Sequence, residues 1–155
     1  MKRYVMTFLV FCSSLLLHAQ GRAAINWLTF EQLSDSLHVN PKPVLLFFHT
    51  DWCVYCRKMD SAVFTDKQII YMLNSRYYAV RFDAESVDSL CFDGQILTNK
   101  SSKKRRGSYH DIAKILAARH GDLIFPTTLI LSPDFTVQQR YFEYLSPEKL
   151  LKTLQ

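Results

Sequence analysis

Glycine is scarce in this chain, with four residues in 155, and proline adds only five. With 48% hydrophobic residues, that is not the composition of a disordered or low-complexity protein. The length suits one domain with a real core and is too short for two ordinary ones. No internal repeat is visible. Cysteine is scarce too: Cys12, Cys53, Cys56 and Cys91. These are too few for a disulfide scaffold. No second close pair exists to complete a four-ligand zinc site with Cys53 and Cys56, and the spacing of His49, His110 and His120 suggests no other metal. Charge of one sign is not in large excess, at 19 Lys and Arg against 14 Asp and Glu. That balance does not call for a nucleic-acid partner.

A long apolar run is also missing. The best candidate, Tyr4 to Leu17, falls short of the ~20 residues that span a bilayer. It follows Lys2 and Arg3 and precedes Leu17-His18-Ala19, which is the layout of a cleaved secretory signal peptide over residues 1–19. Phe11 stands before Cys12 where a lipoprotein signal wants a small residue, which argues against lipidation. Two of the basic residues leave with that segment, so residues 20–155 carry 17 basic and 14 acidic side chains, a net +3. Three cysteines remain, an odd number, which suggests working thiols in an exported protein.

Thr29 and Gln32 fit a capping box opening a helix through about Leu37, with Phe30, Leu33 and Leu37 on one face. Val44 to Phe48 is a continuous apolar run, as expected of a central strand covered on both faces. Thr50 or Asp51 is expected to cap a helix from Cys53 to about Val63. Thr65-Asp66 caps another, which buries Ile69, Ile70, Met72 and Leu73. Strands are predicted over Tyr78–Phe82, Thr127–Leu131 and Val137–Phe142, with a small hairpin turning at Asp93-Gly94. A helix is predicted from Tyr109 to about His120, with Ile112, Ile115 and Leu116 inward. Ser146 and Pro147 open the last helix. This order argues an α/β domain around one mixed sheet flanked by helices.

The pair Cys53 and Cys56 lies at the turn from the apolar strand into the amphipathic helix. Two cysteines so spaced can alternate between dithiol and disulfide, and the helix start lowers the pKa of the first thiol. A purely structural disulfide and half a metal site are the plainer alternatives.

Several segments together carry a family resemblance: Lys42-Pro43-Val44-Leu45-Leu46; Trp52-Cys53-x-x-Cys56-Arg57-Lys58-Met59; Val80-Arg81-Phe82-Asp83-Ala84-Glu85; Phe125-Pro126-Thr127-Thr128; and Tyr144-Leu145-Ser146-Pro147-Glu148. From Trp27 to Leu154 the chain resembles the thioredoxin superfamily. Within it, the likeness is to secreted bacterial thioredoxin-like proteins and to the C-terminal thioredoxin-like domain of the periplasmic disulfide reductase. The resemblance implies a thioredoxin-like fold over residues 20–155, with Cys53 as the exposed nucleophile and Cys56 as the buried resolving cysteine. It also implies that Pro126 is a cis-proline facing the pair across a groove, and that Trp52 shields one side.

Three positions depart from that pattern. Phe47 stands where many relatives bury an acid that moves protons for the resolving thiol, so Asp60, one helical turn after Cys56, becomes the candidate substitute, with an ordinary exposed carboxylate as the alternative. Glu143 replaces a common glycine beside the site and could narrow the groove or disfavour the thiolate. The third departure is a basic insertion, Lys100 to Arg106. It reads first as a solvated loop, with docking to an acidic partner or lipid headgroups as the alternative. Cys91 reads as an idle thiol, with regulation or dimerisation as the alternative.

The expected function is that of a periplasmic thiol–disulfide oxidoreductase, reducing disulfides in exported proteins and drawing electrons from a membrane donor protein. A monomer is expected, and no cofactor or metal is called for. No His lies between the cysteines, as it does in strong oxidants, so reduction is favoured over oxidation. The alternatives are an oxidase or isomerase, or a thioredoxin-fold binding or chaperone module without redox turnover.

Overall fold

The computed structural model describes residues 24–92 and 94–155. The leader assigned to residues 1–19 lies outside them. Five strands form one mixed sheet in the order β1-β3-β2-β8-β9: β1 (Trp27–Leu28), β2 (Val44–His49), β3 (Tyr78–Asp83), β8 (Thr127–Leu131) and β9 (Val137–Tyr141). β2 runs parallel to β3 and antiparallel to β8. Its central place explains the unbroken apolar run.

Alternation along β2 sends Leu45 and Phe47 to one side and Val44, Leu46 and Phe48 to the other. The first side packs against three helical segments: α2 (Val54–Lys58) with its continuation Met59–Val63, α3 (Lys67–Arg76), and α5 (Pro147–Thr153). The second packs against α1 (Phe30–Val39) and α4 (Asp111–Leu116). Among the described residues, Phe125 is the one side chain that packs against both clusters. No helix among the described residues is long and apolar enough to cross a membrane.

Local signals govern the helix starts. The Thr29–Gln32 capping box is formed in both directions. Asp66 accepts from the N–H groups of Gln68 and Ile69, and Ser146 accepts from Lys149 with Pro147 in the first turn. The small hairpin is also present, as β4 (Leu90–Phe92) and β5 (Gln95–Leu97), with Gly94 at φ 71°.

Three expectations need correction. Neither Thr50 nor Asp51 caps the active-site helix; Cys53 occupies the N-cap. That helix is not α-helical to Val63, because Met59–Val63 widens into a π-turn, with the Phe64 N–H on the Met59 carbonyl. The helix predicted from Tyr109 to His120 covers only Asp111–Leu116. Buried His110 caps it through Nδ1, and after Ala117 the chain turns back as β6 (Ala118–Arg119) and β7 (Asp122–Leu123). His120 and Gly121 make that turn with positive φ, which a helix cannot accommodate. Ile115, expected inward, is 59% exposed.

Candidate active site

β2 delivers the chain to a tight turn in which the Cys53 N–H bonds the Thr50 carbonyl at 3.2 Å. Cys53 and Cys56 are joined as a disulfide. The Cys53 sulfur accepts the backbone N–H of Cys56 at 3.0 Å. That N–H is one of the unpaired donors at a helix start, so the same geometry favours negative charge on Cys53 once the pair is reduced. Cys53, expected to be exposed, is only 4% exposed in this oxidised form, and Cys56 is 1% exposed. Both sulfurs belong to the apolar cluster of the first side, onto which Phe125 and Tyr144 pack.

Phe125-Pro126 is a cis peptide immediately before β8. Trp52, next to Cys53, meets Phe125 edge-on at 6.0 Å between ring centroids. That contact sets the cysteine turn beside the proline turn. On the other flank Tyr55, between the cysteines, lies 6.4 Å from Tyr144, and Lys58 Nζ sits 4.7 Å from the Tyr144 ring centre.

Trp52 is held by more than packing. Its indole N–H donates to both oxygens of Glu85, at 3.1 and 3.2 Å. Glu85 is 2% exposed and also accepts the Gly107 N–H at 2.7 Å. Glu85 stood within a shared segment but had no role in the sequence reading, because nothing in the sequence says that residues 52, 85 and 107 meet.

The basic insertion is exposed at Lys100 and over 102–107, as its composition suggests, but it is also anchored. Lys104 pairs with Asp51 at 2.5 Å and also with Asp83. Those bonds push the Lys104 ammonium up to about 12 and hold the Asp51 carboxyl below its usual range. Arg106 lies over Trp52, its guanidinium carbon 4.4 Å from the ring centre. Glu143, the other departure, is turned onto Lys149 at 2.7 Å.

Phe47 is wholly buried, edge-on to Phe64 at 4.8 Å. Arg81 is its register partner on β3, on the same side of the sheet. Asp60, at the π-turn, pairs with Arg81 at 2.9 Å. Burial raises the Asp60 carboxyl above its usual range despite the opposing pull of Arg81. Asp60 therefore shares the sheet face of the cysteine pair. Among the described residues, no group of three or more His, Cys, Asp or Glu is placed to hold a metal.

His49, two residues after Phe47 and stacked on it, is lowered to about 4, first by burial and then by Arg81. Its ordinary value is 6.5. Between these values the unfolded chain binds the proton and the folded chain does not, so stability rises with pH across that window. We expect the folded state to lose up to roughly 3 kcal/mol of this contribution as pH falls from 6.5 to 4, with no loss from this group above 6.5. Urea titrations at several pH values on the parent and His49→Gln check this; parallel curves for the two proteins would exclude His49 as the source.

A disulfide at a strand-to-helix turn, set beside a cis-proline just before the adjacent strand of a mixed sheet, defines a thioredoxin-like protein. The chain belongs to that family: the model of the thioredoxin-like domain matches residues 31–155. Part of it is 35% identical over 66 residues to the thiol:disulfide interchange protein DsbD of Campylobacter jejuni. That match takes in 43% of this chain and 11% of the relative, so this chain spans only a small part of such proteins. Among solved structures, a thioredoxin from Thermus thermophilus superposes with TM-score 0.59 at 19% identity, over 84% of this chain and 85% of that one. The C-terminal domain of Neisseria meningitidis DsbD, in its reduced form, gives 0.51 at 14% identity, over 79% and 87%.

Proposed function

We propose that this chain is an exported thiol–disulfide oxidoreductase that reduces disulfides in other exported proteins. The observation that carries the reading is the Cys53 sulfur, held by the Cys56 N–H at the N-cap and set beside Phe125-Pro126. In the reduced protein the Cys53 thiolate attacks one sulfur of a substrate disulfide. A mixed disulfide forms, and the other substrate sulfur leaves as a thiolate that takes up a proton. Cys56 then loses its proton and attacks the Cys53 sulfur, which releases the second substrate thiol and leaves the Cys53–Cys56 disulfide. Two electrons pass to the substrate.

Asp60 is the proposed acceptor of the Cys56 proton, since a carboxylate with a raised pKa is a better base near neutrality. Trp52 acts as a shield and Pro126 as the substrate-facing turn. Residues 1–19 serve as the cleaved leader and 20–155 as the working domain, and such a leader supports a periplasmic location. A membrane protein returns the electrons, and the partial match to an interchange protein supports such an exchange. The cysteine pair itself carries the electrons.

The reduction potential tests the direction. Equilibration with glutathione buffers should give a thioredoxin-like value of about −270 mV, whereas a value near −120 mV would mark an oxidant and overturn the reductase reading.

A further inference from the structure

We propose that Arg106 is a specificity-determining residue that binds a carboxylate flanking the substrate's disulfide cysteine, so that the site prefers acidic peptide segments. The inference rests on the oxidoreductase reading and adds the class of substrate sequence that the site selects.

The insertion is built to hold its shape. At its base, Asn99 donates to the carbonyls of Ser86 and Ser108, at 3.0 and 2.8 Å, and its side-chain oxygen accepts from Ser101 and Ser108. Further along, Lys104 is tied to Asp51 and Asp83, and the Gly107 N–H is tied to Glu85. Arg106 stands between these two anchors. It is exposed, it lies over Trp52, and among the described residues it has no carboxylate partner. An arginine already placed against an aromatic ring gives up less freedom on binding, and its planar donors match a carboxylate.

The charges around the redox turn are distributed unevenly. Each carboxylate on this flank is already engaged: Asp51 and Asp83 by Lys104, and Glu85 by Trp52 and Gly107. Apart from Lys104, the cations there have no carboxylate partner among the described residues. Among the described residues Arg57 bonds only the Asp51 backbone carbonyl, at 2.6 Å, and Lys58 lies over Tyr144. A substrate approaching Cys53 therefore meets cations free of carboxylate partners, with Arg106 beside the residue that precedes the nucleophile. In the proposed complex a side chain one or two residues from the substrate's cysteine rests against this guanidinium, which lies over the residue next to Cys53. Lipid headgroups would also answer a positive surface. A position against Trp52, however, is met by a group that arrives with the disulfide, which favours a peptide carboxylate.

Three synthetic peptides with one internal disulfide, flanked by Glu, Gln or Lys, separate the readings. The reduced full-length protein should act on the Glu peptide about fivefold faster than on the Gln peptide in kcat/KM, and this ratio should shrink with salt. Arg106→Gln should bring the ratio to about one, Arg106→Lys should restore part of it, and Arg106→Glu should favour the Lys peptide. An unchanged ratio in Arg106→Gln, or no Glu preference in the parent, overturns the proposal. So does binding to phosphatidylglycerol vesicles that depends on Arg106 without any peptide preference. Turnover of the Gln peptide tests the oxidoreductase reading by itself. If that fails, the affinities of the Cys53→Ser/Cys56→Ser protein for the Glu and Gln peptides still decide the role of Arg106.

Discussion

Cys53→Ser should bring disulfide reduction down to the uncatalysed background, a loss on the order of 10³-fold or more, while Cys56→Ala should accumulate mixed disulfides through Cys53. The reasoning is geometric. Only Cys53 has its sulfur at the helix start, where the Cys56 N–H supports a thiolate. Cys56 is the more deeply buried of the two and can reach only the sulfur of Cys53. Removing the first therefore stops the reaction before any covalent step, and removing the second stops it after one. Non-reducing gels and mass spectrometry of the trapped species check both outcomes. If the trapped adducts ran through Cys91, an exposed thiol on the β4–β5 hairpin, the assigned order would be wrong. Asp60→Asn belongs to the same experiment. It should slow release from the mixed disulfide several-fold without preventing its formation, because another base or water can still take the Cys56 proton. An unchanged release rate removes Asp60 from the scheme.

The second large effect concerns stability. Phe47→Ala should cost about 3–5 kcal/mol, since a wholly buried aromatic ring is lost from the centre of the sheet and its edge contact with Phe64 goes with it. Against the 5–15 kcal/mol typical of a domain, that is a large part of the whole. Urea midpoints measure it; a shift equivalent to less than about 1 kcal/mol would mean that the surroundings collapse into the space. The same substitution uncovers one face of His49. Its imidazole, now lowered to about 4, should titrate closer to 6.5, which NMR can follow independently of the unfolding curve.

Much of this architecture was legible from local chemistry. The β2 run, the capping box at Thr29, the caps at Asp66 and Ser146, and the strand after Pro126 each depend on residues close in sequence, and each forms where those residues place it. The cysteine turn and its proline neighbour were legible through the family pattern. What could not be read depends on distant partners. The composition of the insertion suggests solvation, and it is exposed, but its anchoring through Lys104 depends on Asp51 and Asp83, which lie far away in sequence. Glu85 looks like a surface acid until Trp52 and Gly107 close over it. The helix after Tyr109 ended early because a buried histidine starts it and a left-handed pair of residues turns the chain, and neither feature changes the apolar spacing on which the prediction relied.

The ring of Phe125 has a mechanical consequence. It touches Trp52 on the side of the cysteines and Tyr109 on the side of the insertion, and it is joined directly to Pro126. The sheet otherwise keeps the two halves of the interior apart, so this one side chain acts as an axle through the partition. Removing that ring would release Trp52 and Tyr109 together, because both rest against it.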